Sequence, residues 1–204
     1  MDVRRSRDID TPIEELIEKA SKGDKDAFGV IFKKYYSRIH RYLTHYLMDH
    51  GIAEDAAVEV FIQAYRNLQG YDERGKFTGW LYKIATNCAR KAYNSRKKER
   101  AMLTSMDRPV DEETGATLHS MIGDDSYRPD GLVEKEDLKE YLYELIRRLD
   151  KKYGEALLLC DVQGLSYAEA SEVLDISENT LGVRLSRARE ALYKLIERAR
   201  KGSL

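Results

Sequence analysis

The sequence predicts an all-α chain of two small helical domains, the second carrying a helix-turn-helix, joined by a flexible linker. Three observations point there. Apolar residues recur at spacings of three and four through most of the chain, and strand-like alternation appears nowhere. Charged residues make up 35% of the 204 residues, well above the usual quarter, as wide solvated helix faces require. Two of the three prolines, Pro109 and Pro129, sit with acid clusters in the one long stretch that lacks periodicity. That stretch, 101–131, reads as an acidic flexible linker, because so long a structureless segment fits poorly inside one compact domain. The expected divisions are an N-terminal segment with a first helix, 1–23, a helical domain 24–100, the linker, and a second helical domain 132–204. With 42% apolar residues, two small cores are as compatible with the composition as one.

The elements follow in order. Thr11 and Pro12, with Glu14 behind them, form a helix start, Thr11 as cap and Pro12 in the first turn. Asp24 caps a second helix whose buried face is Ala27, Phe28, Ile31, Phe32, Tyr35, Ile39, Tyr42, Leu43 and Tyr46, and Gly51 breaks it. A third helix, 53–68, buries Ala56, Val60, Ala64 and Leu68. A turn-rich loop, 70–76, leads to a fourth helix, 77–98, which buries Phe77, Leu81, Ile84, Cys88 and Ala92. Beyond the linker, Leu138, Leu142, Leu145 and Leu149 mark a helix, and 153–162 form another, ended by Gly164. Ser166 opens a short helix with Glu169 three positions on, the signature of a capping box, and that helix ends near Leu174. Ser177 or Asn179 caps the last helix, whose stripe is Leu181, Leu185, Ala188, Leu192, Leu195 and Ile196.

Several classes are excluded. There is no run of about 18 apolar residues, so no spanning helix is expected, and MDVRRSRDID has no apolar stretch behind its bases, so it is not a secretory signal. Cys88 and Cys160 stand 72 positions apart, and His40, His45, His50 and His119 form no ligand pattern. A cytoplasmic protein without disulfides, metal or cofactor is expected.

A net charge of -1 conceals strong segregation. From Arg74 to Arg100 nine bases face one acid; from Ala101 to Asp137 three bases face ten acids; from Arg184 to Lys201 seven bases face two acids. A single such run is commonly a solvated helix face. Two basic runs flanking an acidic one suggest two surfaces for a polyanion.

The strongest local motif is SYAEASEVLDISENTLGVRLSRAR, from Ser166 to Arg189. A short capped helix, a tight turn and a longer basic helix are the parts of a helix-turn-helix, in which the first helix braces the second against the major groove. Opposite the Leu181–Leu185–Ala188 stripe lie Arg184, Ser186, Arg187 and, further round, Arg189, donors suited to phosphates and base edges.

Here the chain resembles the extracytoplasmic-function (group 4) sigma factors of bacterial RNA polymerase. ALLLCDVQGLSYAEASEVLDIS and RLSRAREAL are similar to their region 4, while AEDAAVEVFIQAYRNL and GKFTGWLYKIATNCARKAY are similar to their region 2. The resemblance implies a subunit that binds core RNA polymerase, reads the -10 and -35 promoter elements and aids melting, without catalytic residues of its own. It implies that Asp55, Glu59, Gln63 and Arg66 dock on the polymerase, and that the loop from Gln69 to Lys76 accepts a flipped base, whose unstacking costs a few kcal/mol. It implies that Tyr82, Lys83, Asn87, Arg90, Lys91 and Asn94, read as sharing the face away from the apolar stripe, meet the -10 element, with Asn87 the base reader. Lys83 and the Arg96–Lys97–Lys98 run then bind phosphate, while Trp80 reads better as core. Thr180, Gly182, Val183, Arg184, Ser186, Arg187 and Arg189 take the -35 element. An anti-sigma factor is a further partner that the resemblance implies.

Departures from the family pattern fall at Val58, where Gln is usual, and at Lys91 and Asn94, where Asp and Arg are common. Gly182 and Val183 replace a donor pair, which moves readout toward apolar contact with a thymine methyl. Two other readings stand beside this one. An ordinary helix-turn-helix regulator would bind duplex DNA without polymerase, although the first half carries a basic-aromatic helix of its own. An enzyme acting on nucleic acid would need clustered carboxylates with a metal set or a nucleophile and base, and the linker acids have no partnering histidine.

Overall fold

The computed structural model describes residues 11–72, 76–106 and 135–201. Among them the protein is all-α, with eight helices and no strand. The first half is α1 (Ile13–Ser21), α2 (Lys25–Leu47), α3 (His50–Asn67) and α4 (Phe77–Met106), with a 3-10 turn at Leu68–Gly70 between the last two. The second half is α5 (Lys135–Arg147), α6 (Lys151–Leu157), α7 (Tyr167–Leu174) and α8 (Glu178–Lys201), with a π-helical turn at Leu158–Val162 after α6.

Side-chain caps set several of these starts. Asp24 accepts from the amides of Asp26 and Ala27 and opens α2. Asp49, which the sequence reading passed over, accepts from Ile52 N–H at 3.0 Å and opens α3. Gly51 therefore lies inside the first turn of α3 and does not break α2. The break is made by Met48, left-handed at φ 57, whose amide bonds back to Thr44 O. At the first helix the cap position is Pro12, one residue later than expected, and no side-chain hydrogen bond caps it. The capping box at Ser166 and Glu169 is present in full. Asp175 closes α7 in the left-handed region, Ile176 N–H bonds to Ser171 O, and Ser177 Oγ accepts from Thr180 N–H to start α8. That reversal over Asp175, Ile176 and Ser177 is the turn of the helix-turn-helix.

α4 runs to Met106, eight residues past its expected end, so the segment 101–106 is helix rather than linker. No proline or glycine stops it before Pro109. The rest of the expected linker, the N-terminal segment 1–10 and residues 73–75 of the 70–76 loop lie outside the described residues.

One apolar cluster runs through both halves. Ile31, Ile39 and Leu43 of α2 pack with Ala57 and Val60 of α3 and Leu81 and Ala85 of α4. The cluster continues through Leu157, Leu159, Val173, Leu181 and Leu185. Of the last helix's stripe, Leu181, Leu185 and Ala188 are buried, while Leu192, Leu195 and Ile196 are only partly covered. Two tyrosines lie fully inside, Tyr42 and Tyr82, and both hydroxyls are partnered: Tyr42 with Thr86 Oγ1 at 2.8 Å, Tyr82 with Gln163 Oε1 at 2.7 Å. No described helix is long and apolar enough to cross a membrane.

Candidate nucleic-acid and polymerase interfaces

On α3, Asp55, Glu59 and Arg66 are exposed and Gln63 is half-buried. Gln63 Nε2 donates to Glu59 Oε1 at 2.7 Å, which fixes the two side chains along one edge. Beside that edge, Val58, Ile62 and Tyr65 stand exposed and join Phe28, Phe32, Phe61 and Arg66 around an apolar groove between α2 and α3. T-shaped contacts between Phe28 and Tyr65 and between Phe32 and Phe61 hold the groove floor. Val58, where the family pattern has Gln, offers the groove an apolar side chain in place of a polar one. Its partners at positions 62 and 65 carried the missing signal, an apolar strip at helical spacing on the polar side of α3.

On α4 the cations line up. Lys76, just before the helix, Lys83 and Arg90 are spaced by seven residues and so share a face, with exposed Asn87 between the last two. Lys91, Asn94, Lys97 and Lys98 are exposed further along, and Arg96 Nη1 pairs with Asp49 Oδ2 at 3.0 Å. Trp80 is half-buried in an aromatic cluster with Tyr71 and Phe77, at 5.0 and 5.5 Å between ring centroids.

Tyr82 departs from expectation. It was read on the open face of the helix, but it is fully buried, edge-on to Tyr42, and its hydroxyl donates to Gln163 of the second half. Burial pushes its phenol up to about 12. In this arrangement no base can reach its ring, which is fully buried, edge-on to Tyr42 of the first half, while Gln163 of the second half holds its hydroxyl. That half also presents acids to α4. Glu172 Oε1 stands 3.4 Å from Lys76 Nζ, Asp175 Oδ1 3.4 Å from Lys83 Nζ and Asp175 Oδ2 3.7 Å from Arg90 Nη1. The buried Glu155 accepts from Tyr46 Oη at 2.7 Å and lies 4.0 Å from Arg90 Nη2.

The recognition helix α8 is open by contrast. Thr180, Val183, Ser186 and Arg187 are exposed, Val183 at 52%, and Gly182 and Arg184 are half-buried. With Lys152, Tyr153 and Asn179 several of these line a concavity between the start of α6 and α8. Lys152 and Tyr153 were not singled out in the sequence, since their helix belongs to neither the motif nor a charge run. A Cβ at Gly182 would meet Tyr167 at 3.9 Å, ordinary contact, so nothing in the packing requires glycine there. Arg189 is turned aside: Nε and Nη2 fork onto Asp161 at 2.9 and 2.7 Å, which ties α8 to the π-helical turn.

A basic helix in each half, one of them in a helix-turn-helix, defines a two-part DNA-reading protein. Two family models match the corresponding parts: Sigma-70 region 2 over residues 31–99 and Sigma-70, region 4 over residues 139–192. The chain is 34% identical over 182 residues to the ECF RNA polymerase sigma factor SigW of Bacillus subtilis (strain 168), covering 89% of this chain and 95% of that one. It is 31% identical over 184 residues to the ECF RNA polymerase sigma-E factor of Escherichia coli (strain K12), covering 89% and 93%. Among solved structures, CnrH in complex with the cytosolic domain of CnrY matches with a TM-score of 0.61 at 21% identity, covering 89% of this chain and 95% of that one. The sigma factor RpoE of Bartonella quintana, in complex with the anti-sigma factor NepR, matches at 0.59 and 20%, covering 83% and 96%. This chain belongs to the extracytoplasmic-function sigma factors of the sigma-70 family.

Proposed function

We infer that the chain binds core RNA polymerase and directs it to promoters by reading a -10 element with α4 and a -35 element with α8. The observation that carries this is the pairing itself: two basic helices, one in each half, within the two matched sigma-70 regions. The units that do this work are 24–100 and 132–204. Exposed Asn87 reads a base edge while Lys83, Arg90, Lys91 and Asn94 hold the strand. Thr180, Gly182, Val183, Arg184, Ser186 and Arg187 face the major groove, with the Val183 methyls suited to a thymine methyl. Arg189 joins them when it leaves Asp161.

Asp55, Glu59, Gln63 and Arg66 dock on the polymerase, and the apolar strip of Val58, Ile62 and Tyr65 is what a helical partner would cover. A protein inhibitor is a further partner, supported by the solved relatives whose complexes contain CnrY and NepR. The work is done where the polymerase is, in the cytoplasm.

The test is transcription with purified core RNA polymerase on a fragmented bacterial genome, with and without this protein. New discrete starts preceded by a shared pair of elements are expected. Duplex binding by the protein alone without new starts would make it an ordinary regulator.

A further inference from the structure

One cation of α8 is held back from the DNA-reading face. Arg189 stands seven residues past Gly182, with Ser186 between them, so the three share one side of the helix. At about 1.5 Å per residue, Arg189 lies roughly 10.5 Å beyond Gly182 along the axis. That is close to the width of the major groove, about 12 Å. With the first two turns of α8 among base edges, Arg189 is level with the groove's rim, where the strand phosphates run. Its side chain is half exposed, yet it does not point outward. Nε and Nη2 fork onto Oδ2 and Oδ1 of Asp161 at 2.9 and 2.7 Å, and the Tyr167 hydroxyl lies against the same guanidinium.

Asp161 is brought there by the backbone. It comes three residues after buried Leu158 and four after buried Leu157, a spacing that in a continuing α-helix would carry it inward. The π-helical turn, closed by Gln163 N–H onto Leu158 O at 2.9 Å, inserts an extra residue and swings the carboxylate out toward α8. Such single turns recur at functional sites. The fold has little need of the pair: Leu181, Leu185 and Ala188 already seat α8, and an exposed ion pair adds little to stability. What the pair changes is the charge that α8 presents. Neutralised by Asp161, Arg189 adds nothing to the field of Arg184 and Arg187.

Resting on the reading of α8 as the -35 helix, we propose that Asp161 is a positioning residue that competes with a strand phosphate for Arg189, and so sets how strongly α8 grips DNA of any sequence. While Asp161 holds the arginine, affinity rests on the base contacts of the helix's first turns. Once released, Arg189 adds a phosphate contact that carries no sequence information.

The experiment uses the full chain and a fluorescein-labelled duplex of mixed sequence, about 25 base pairs long, with anisotropy read from about 50 to 200 mM salt. D161N removes the competing charge. Binding should tighten about threefold to tenfold near 0.1 M salt, and the log–log slope should steepen by about 0.9, the counterion release of one more phosphate contact. R189Q should stay within about twofold of the native chain, because the arginine it removes is already engaged. D161N/R189Q should match R189Q, since the gain needs the arginine. A gain that persists in D161N/R189Q would reduce Asp161 to a source of repulsion and overturn the proposal. A fall in affinity with D161N, or an unchanged slope, would leave the pair a structural role only. Should D161N lower the urea midpoint, R189K makes the test with Asp161 intact: an ammonium cannot fork onto both oxygens, so its slope should lie between those of the native and D161N chains, and a native slope overturns the competition.

R187A separates this proposal from the reading beneath it. If R187A leaves duplex binding and its slope unchanged, α8 is not the duplex-binding helix. If R187A weakens binding while D161N does not strengthen it, α8 remains the reader and the competition for Arg189 falls.

Discussion

α4 and α8 are both basic helices, yet their cations live in different surroundings. On α8, Arg184 and Arg187 have no ion pair among the described residues, and the helix packs on α6 and α7 with Leu181, Leu185 and Ala188 buried. Lys76 at the start of α4, and Lys83 and Arg90 on it, face acids that come from beyond residue 150, and the hydroxyl of buried Tyr82 is held by Gln163 of the same half. The difference teaches that a DNA-reading surface has two separable properties, the charge it carries and the charge it can offer. The first is written locally; the second depends on what the rest of the chain lays across it.

Substitutions can break or sharpen that contrast. The largest effect belongs to Tyr82→Ala, which empties a fully buried site and should cost about 3–5 kcal/mol in urea unfolding, while Tyr82→Phe should cost about 1. Tyr193→Ala on α8, at 63% exposure, should stay within about 0.5 kcal/mol, and an equal cost at both positions would erase the distinction. Next comes Arg187→Ala, which should lower -35-dependent initiation about fivefold to 150-fold, the worth of one good base contact. The matching change on α4, Asn87→Ala, should blur -10 preference without reducing polymerase binding. Uniform loss across promoters in either case would assign phosphate contact instead.

Tyr46→Phe takes a hydrogen bond from the buried Glu155 and should cost about 1–2 kcal/mol by urea midpoint; no change would mean Glu155 is satisfied by Arg90 alone. Gly182→Ala should stabilise the protein by about 0.5–1 kcal/mol, since the helix gains propensity and the new methyl meets only ordinary contact. The smallest effect is a slope in pH. Burial, with help from Arg147 and Arg41, lowers His45 from its ordinary 6.5 to about 4. The unfolded chain then binds more protons between those values, so this contribution is present above pH 6.5 and is lost as pH falls toward 4. His45→Phe, which keeps the stack on Tyr143, should flatten the urea midpoint across that window.

Much of this was legible in the sequence because it is local. The capping box at Ser166, the cap at Asp24, the apolar stripe of α2 and the first half of that of α8, Leu181, Leu185 and Ala188, are decided by neighbours within one or two helical turns, and each appears where its spacing put it; Leu192, Leu195 and Ile196 run on past the core and are only partly covered. The end of α4 was misplaced since charge density, unlike proline, does not stop a helix. Gly51 was taken for a breaker because glycine is costly within a helix, but the Asp49 cap tolerates it in the first turn. Tyr82 could not be read at all. Its partner, Gln163, is 81 positions away, and helical phase alone put the ring on the wrong side.

The ion pairs between α4 and α7 also change how ionic strength acts on each helix. Duplex DNA bound by α8 should weaken with salt at a log–log slope of about -0.9 per phosphate neutralised, because condensed counterions are released. A single strand arriving at α4 releases its own counterions, at about -0.7 per phosphate. There, however, the same salt screens the contacts of Lys76, Lys83 and Arg90 with their protein acids and favours uncovering the helix. On the proposed reading the two dependences oppose each other at α4, so binding there should change less with ionic strength than binding at α8.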